Sequence, residues 1–358
     1  MKPIKIFATP SHAAVERTSG VDFARIIQPM EYLNKLKDFK VTIYDPKLNE
    51  KMDWLKITAE NDILFLNYTT NPWAFAIMGT LARKNNRKIV LDLDDSLWDC
   101  RTDNTAYQVY KEGSEGIKNF TCICNEVDYV TTTSLYLKNV ICHNTMKRHE
   151  QIGILPNCID LGLYAYRPKL ENKNTVTILH FGSSSHYKDL QDSGFVEGVD
   201  KLMKELPNVR LVTVGALIPK FKHKWGSRYR HDFGDTDIYK WVNDKFSKFM
   251  EEADIVVAPL DIDTYNRAKS YIKFLEYSSA KRPGVYQDIT PYQEIVRDGE
   301  NGFLAFRSED WYEKLKKLAL DFELRKKIGE NAFKTIQNYT IQKNIHKYAD
   351  FFRKVIAT

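Results

Sequence analysis

Apolar residues follow two rhythms along this chain. Short runs of strand length and branched composition, "IKIFAT" (4–9), "KVTIY" (40–44), "DILFL" (62–66), "KIVLDL" (88–93), "DYVTT" (128–132) and "IGILP" (152–156), alternate with segments such as "VDFARIIQPMEYLNKLK", where apolar residues recur three and four apart. This β-α-β order predicts a parallel sheet with helices on both faces. After a polar bridge, "YRPKLENKNT" (166–175), the rhythm restarts with "VTILHF" (176–181), "VRLVTV" (209–214), "DIVVAPL" (254–260), "PGVYQ" (283–287) and "GFLAF" (302–306). From about 308 onward the pattern is helical, ending in "IQKNIHKYADFFRKVIA". The prediction is an α/β chain with two doubly wound, Rossmann-like domains facing a cleft: 1–165, 166–338, and a terminal helix, 339–358, packing back on the first domain. Ligands of such sheets bind outside the carboxyl ends of the strands.

Composition narrows the picture only a little. The 358 residues suit two domains, and 43% hydrophobic with 28% charged residues is globular. No apolar run is long enough to cross a bilayer, and "MKPIKIFATPSH" does not read as a signal peptide, so a cytoplasmic location is expected. Five scattered cysteines fit a reducing compartment; the spacing of Cys122, Cys124, Cys142 and His143 is not that of the usual zinc sites, and no metal is expected. A net charge of +6 permits an acidic partner without requiring one.

One stretch concentrates charge where a ligand belongs. Following "DIVVAPL", the segment "NRAKSYIKFLEY" (266–277) is predicted to be a helix from about Ala268 to Ala280, with Arg267, Lys269 and Ser270 at its start, Lys273 one turn on and Glu276 beyond it. Cations at a helix amino terminus are unfavourable unless an anion compensates them, so a diphosphate is indicated there. Glu276 has the capacity to accept two hydrogen bonds from a ribose diol. The alternative is a solvated helix face on which Lys273 and Glu276 pair.

Further motifs match this one in order along the chain. The block "VVAPLDIDTYNRAKSYIKFLEYSSAKRPGV", followed by "PYQEIVRDGENGFLA", resembles the donor half of the GT-B glycosyltransferases of the large retaining group known as family 4. "LPNCID" (155–160), "ILHFGSSSHYKDL", "SGVDFARIIQP" and "VLDLDDSLWD" resemble that family's interdomain segment, its two glycine loops and a D-x-D-D segment of many bacterial members. The resemblance implies transfer of a sugar from a nucleoside diphosphate sugar to a hydroxyl with retention, and no cofactor. It assigns Glu276 to the nucleotide ribose and Arg267, Lys269, Ser270 and Lys273 to the diphosphate and sugar. Gly182, Ser183 and His186 fall in the donor glycine loop and Gly20 in the amino-terminal one. Where the family's E-x7-E motif begins with Glu, this chain has Ala268, so the donor sugar stays open.

Asp92, Asp94 and Asp95 close a strand at its carboxyl end, and Asp94 or Asp95 is the candidate for binding or activating the acceptor hydroxyl, unless Asp95 or Ser96 caps the next helix. Gly20 is expected to let backbone approach the diphosphate through a turn that only glycine tolerates, and Arg25 to face the cleft. The acceptor classes are a saccharide, a lipid-linked glycan or a hydroxymethylated DNA base. The last is suggested by "PKFKHKWGSRYRHDF" (219–233), where Lys220, Lys222, Lys224, Arg228 and Arg230 interleave with Phe221, Trp225 and Tyr229, as suits nucleic acid or an anionic membrane. A plain exposed loop is the ordinary explanation of that segment, and a non-catalytic nucleotide-sugar-binding module is the alternative to an enzyme.

Overall fold

Runs such as Ile63–Asn67, buried at every position, leave no polar face to turn toward water, so their sheet must be covered on both sides. The computed structural model describes residues 2–11, 18–45, 52–69, 71–183, 186–235 and 237–358. The chain divides into two units, Met1–Cys158 with Ala268–Ser270 and Ile341–Thr358, and Ile159–Arg267 with Tyr271–Thr340.

In the first unit, strands β1 (Ile4–Thr9), β2 (Phe39–Ile43), β3 (Ile63–Asn67), β4 (Lys88–Leu93), β5 (Tyr129–Thr132) and β6 (Ile152–Ile154) form one parallel sheet in the order β2-β1-β3-β4-β5-β6. The second unit repeats the plan with β7 (Val176–Gly182), β8 (Val209–Gly215), β9 (Tyr229–Asp232), β10 (Ile255–Ala258), β11 (Gly284–Gln287) and β12 (Phe303–Ala305), ordered β12-β11-β10-β7-β8-β9 and again parallel throughout. Polar side chains start many of the helices: Asp53, Asn71, Ser114, Ser134, Asp237 and Asp321 each accept a backbone N–H from the first turn.

The terminal helix Ile341–Ala357 belongs to the first unit. Its buried stripe of Ile341, Tyr348, Phe352 and Val355 joins Ile6, Met30, Phe65 and Val90 in one apolar cluster, with the Phe65 and Phe352 rings 5.2 Å apart. Each such side chain contributes roughly 1.5–3 kcal/mol by leaving water.

Two readings of the sequence are corrected here. The segment 219–233 is not a plain loop. It is a helix, Pro219–Trp225, followed by the edge strand β9. Phe221 and Tyr229 are buried in the second core, and Trp225 packs against it. The cations point outward and several have local partners: Lys224 pairs with Asp200 at 2.7 Å, Arg230 with Glu252 at 2.7 Å, and Arg228 donates to the backbone carbonyls of Val209 and Leu206. The inward aromatics Phe221 and Tyr229 and the outward charges come from a helix and an edge strand in turn, and they imitate a nucleic-acid motif when read linearly.

Arg25 does not face a ligand. It is fully buried, donating from Nε to Asp92 Oδ2 at 2.9 Å and from a terminal nitrogen to Oδ1 at 2.6 Å, with Asp92 also fully buried. Thr131 Oγ1 and Asn67 Nδ2 supply further hydrogen bonds to the same carboxylate. Burial alone lowers the guanidinium's proton affinity, and the Asp92 carboxylate more than reverses that, so Arg25 stays charged. Arg25→Ala leaves a buried carboxylate without its cation and is expected to cost about 3–5 kcal/mol in urea unfolding, whereas Arg25→Met with Asp92→Leu costs far less; equal losses would show that pairing is not what matters.

Candidate active site

The predicted helix 268–280 is interrupted. Thr264–Arg267 is a single turn, Ala268–Ser270 is a link, and the helix carrying Lys273 and Glu276 runs Ile272–Ser279 behind the N-cap residue Tyr271. The first turn is held by Asn266: Asp263 Oδ1 accepts its backbone N–H at 2.7 Å, and its buried amide donates to Asp189 Oδ1 at 2.8 Å and to the Asp261 carbonyl at 3.0 Å. Ala268 then enters the apolar cluster of the first unit, and the Ser270 hydroxyl accepts from Asn157 Nδ2 at 2.7 Å. The four-residue spacing of Lys269 and Lys273 imitates one continuous helix. In fact Arg267 closes one turn, while Lys269 and Ser270 lead into the next. Tyr271 makes no side-chain cap bond, and its carbonyl accepts from Phe274 N at 2.9 Å.

Lys273 and Glu276 do pair, with Nζ and Oε2 2.9 Å apart. They are not the solvated pair of the alternative reading, because the Glu276 side chain is only 8% exposed. Its other oxygen accepts from the Tyr164 hydroxyl at 3.1 Å, and the Lys273 ammonium lies 3.9 Å from the centroid of the Phe181 ring. Burial, then the Glu276 charge, push the Tyr164 phenol upward, so it stays a donor at all ordinary pH. Phe181 is in turn packed edge-on against Tyr277 at 4.7 Å. An aromatic floor thus fixes the ammonium, and a tyrosine fixes the carboxylate.

Beside Phe181, at the end of β7, lies the glycine loop. Gly182 is paired in register with Gly215, whose φ is +86° and whose added Cβ would fall 1.8 Å from the Gly182 carbonyl oxygen. A Cβ on Gly182 itself would meet the ring of His186 at 2.8 Å and Nε2 of His180 at 3.2 Å. His186 is half-buried and bonded through Nδ1 to Asp189 Oδ2 at 2.7 Å. Asp189, nearly fully buried, therefore joins His186 to the Asn266 turn that carries Arg267. His180 is buried with Nδ1 on the Val257 carbonyl and Nε2 without a partner among the described residues; burial, then the nearby His186, lower it to about 3. Ser183 is exposed at the loop's start, and the residues after it, 184–185, lie outside the described residues.

The second unit thus brings together Gly182, Ser183, His186, Arg267, Lys273 and Glu276. Gly20, Asp94, Asp95, Lys269 and Ser270 belong to the first unit. Gly20 is the first helical residue after the N-cap Ser19, and no positive φ demands glycine there; what it offers is open space, since an added Cβ meets nothing within 4 Å. Asp94 and Asp95 follow β4 and cap no helix by side-chain bonding; Ser96 occupies the N-cap of Leu97–Asp99 and donates instead to Asp99. Oδ1 of Asp94 is enclosed and unpartnered among the described residues. Burial, then Asp95, raise the Asp94 carboxyl to about 7, against the opposing effect of Arg25.

Several residues of this arrangement were given no role by the sequence: Tyr164, Asn157, Asn266 and Tyr68. Asn157, inside "LPNCID", and Asn266, which opens "NRAKSYIKFLEY", lay in motifs that pointed to them, as did Asp189 in "ILHFGSSSHYKDL". Asp22 is another, accepting from Ser11 N at 2.7 Å and from Ser19 Oγ at 2.7 Å and so fixing the approach to Gly20.

Two parallel sheets of six described strands, each with surrounding helices, define the class: the fold is GT-B, that of a large group of glycosyltransferases. Residues 175–321 match the family model for glycosyl transferases group 1, so the resemblance read from the sequence is borne out. The EpsD protein of Bacillus subtilis is 24% identical over 159 residues, a match that spans 44% of this chain and 40% of that protein's length. The Anabaena protein HepE in complex with UDP-glucose superposes with a TM-score of 0.70 at 14% identity, covering 98% of this chain and 100% of that one. Sucrose-phosphate synthase from Thermosynechococcus elongatus gives 0.68 at 14% identity, covering 99% of both. At these identities the likeness is one of fold.

Gly215→Ala forces a methyl group into the Gly182 carbonyl from a left-handed backbone. It is expected to lower stability by about 2–4 kcal/mol, read as a fall in thermal midpoint. An unchanged midpoint would mean that β7 and β8 end further apart than described.

Proposed function

We propose that this chain transfers a sugar from a nucleoside diphosphate sugar to a hydroxyl of a saccharide acceptor, with retention at the anomeric carbon. The observation that carries the reading is the enclosed Lys273–Glu276 pair, held by Phe181 and Tyr164 beside the Gly182 loop within the segment that matches the family model. Arg267 and Lys273, with Lys269, Ser270 and the amino terminus of Ile272–Ser279, take the diphosphate. Glu276 takes the ribose diol with the lone pairs that Tyr164 and Lys273 leave free. Gly182, Ser183 and His186 line the donor, and the open face of Gly20 admits backbone approach. Since HepE was solved with UDP-glucose, and TarM with UDP and α-GlcNAc-glycerol, UDP-linked hexoses are the donors to test first.

In the step itself, the acceptor oxygen bonds to the anomeric carbon on the face from which the diphosphate departs, and the carbon–oxygen bond to the diphosphate breaks. The electron pair leaves with the diphosphate, where the cationic side chains act most strongly as charge builds up. These cations take the part that a metal ion plays in other transferases. The acceptor proton passes to Asp94, with Asp95 beside it. Phe221 and Tyr229, two of the aromatics that suggested DNA as acceptor, are buried in the second core.

A thermal-shift screen of UDP-, GDP- and ADP-linked sugars is expected to find one donor base that stabilises the protein, by about 2.7 kcal/mol at 100 times its Kd. Release of free nucleotide from that donor in the presence of an acceptor sugar is expected to fall roughly 100- to 1,000-fold in Lys273→Ala. Glu276→Ala is expected to raise donor KM on the order of 10- to 100-fold. Tight donor binding with no turnover on any saccharide would contradict the enzyme reading and leave a binding module.

A further inference from the structure

Three adjacent strands of the first unit end side by side, and at each end a buried oxygen is left over. β3, β4 and β5 pair in register, Asn67 with Asp92, Asp92 with Thr131 and Leu93 with Thr132, so that Asp94 and Thr133 directly follow the last pair. Asn67 is 2% and Thr133 4% exposed. Asn67 Oδ1, Asp94 Oδ1 and Thr133 Oγ1 are enclosed and make no hydrogen bond among the described residues. Polar atoms in that position ordinarily destabilise a fold, because water bonded them in the unfolded chain. Their neighbours are committed. Asn67 Nδ2 donates to the Asp92 carbonyl and carboxylate, which fixes the amide and makes its oxygen the unpartnered end. Thr131 is bonded to Asp92, and Ser134 caps the helix Leu135–Asn144. The Tyr68 hydroxyl accepts the backbone N–H of Asp94 at 3.1 Å and that of Asp95, which holds the turn.

We infer that Thr133 and Asn67 bind the acceptor on either side of Asp94: a hydroxyl next to the reacting one bonds to Thr133, and Asn67, from the other flank of β4, receives a further O–H of the same ring. This rests on the saccharide acceptor and the proton-accepting Asp94 proposed above. The chemistry of the three atoms selects such a ligand. Asn67 Oδ1 and a carboxylate oxygen only accept, while a threonine hydroxyl donates or accepts. An anion would find one donor among them, since Arg25 is spent on Asp92, Leu155 and Asn157. An apolar group would leave all three unsatisfied. A ring with several O–H donors satisfies each, and strands about 4.8 Å apart set the receivers at a spacing that neighbouring hydroxyls can span.

The test begins with Thr133→Val, which keeps the side chain's shape and removes the hydroxyl. Its urea midpoint is expected to hold or rise, because no protein partner is lost; a clear fall shows that the fold itself uses the hydroxyl and overturns the inference. Binding is read without turnover from the Thr133 methyl resonance in 13C-methyl threonine-labelled protein, identified by its loss in Thr133→Val, during titration with the methyl α-pyranosides of glucose, galactose and mannose. One of these is expected to shift it. A monodeoxy derivative of that sugar is expected to bind wild type roughly tenfold more weakly, a difference that disappears in Thr133→Val. A methyl resonance that no sugar shifts, or a Thr133→Val protein that keeps the wild-type preference, overturns the inference. In turnover, Thr133→Val is expected to raise acceptor KM roughly tenfold while donor KM stays put. Transfer to a sugar whose binding leaves the Thr133 methyl unmoved overturns this inference and not the proposed function. A shifted methyl in a protein that turns over no donor overturns the proposed function and not the sugar site.

Discussion

The first unit depends on a buried ion pair. Arg25 and Asp92 are both without solvent, and each would be costly alone; together they form a fork of two hydrogen bonds closed by Thr131 and Asn67. The consequences run outward. Arg25 has one more nitrogen to satisfy, and spends it on the Leu155 carbonyl and on Asn157 Oδ1 at 2.9 Å. That bond orients the amide so that Asn157 Nδ2 donates to Ser270. Asp92, Arg25, Asn157 and Ser270 are therefore one relay, from the sheet's interior to the link that precedes the Lys273 helix. The turn after β4 starts two residues past the same aspartate, so Asp94 inherits its place from the pair as well. Arg25 lies in a π-helical stretch, Phe23–Ile27, an uncommon geometry that recurs at functional sites.

Charge in the second unit is handled by enclosure rather than by number. Lys273 is held between a ring and a carboxylate, Glu276 between an ammonium and a phenol, and His186 by an aspartate that also secures the turn ending at Arg267. Groups locked in this way do not have to reorganise when an anion arrives, which is the condition under which electrostatic stabilisation of a leaving diphosphate is most effective. His180, kept neutral by burial, adds an apolar-like wall beside Gly182 rather than another cation.

The fold was legible because its signal is periodic and local: eleven of the twelve strands among the described residues correspond to apolar runs visible in the chain, and the helices between them carry caps that can be read from single residues. The twelfth, β9, was hidden because an edge strand half-faces water and carries its charges there. The site was legible only where chemistry and chain order coincide. Lys273 and Glu276 lie one turn apart, so spacing alone paired them. Tyr164 reaches Glu276 from 112 positions away, and Asn266 reaches Asp189 across 77, and no periodicity encodes such meetings. The break at Ala268–Ser270 was invisible for the related reason that its cause, burial of Ala268 in an apolar cluster built from residues far earlier in the chain, Phe7 to Ile152, is tertiary. Arg25 was misplaced because a cation near a glycine loop looks like a ligand contact until the strand that buries its partner is in view.

The central claim is that Lys273 and Glu276 clamp a nucleoside diphosphate. A crystal structure with a bound UDP-sugar tests it most directly. The account predicts diphosphate density against the Lys273 ammonium and the amino terminus of Ile272–Ser279, with the ribose hydroxyls on the Glu276 carboxylate. Nucleotide density elsewhere, with the Lys273–Glu276 pair untouched, would contradict it.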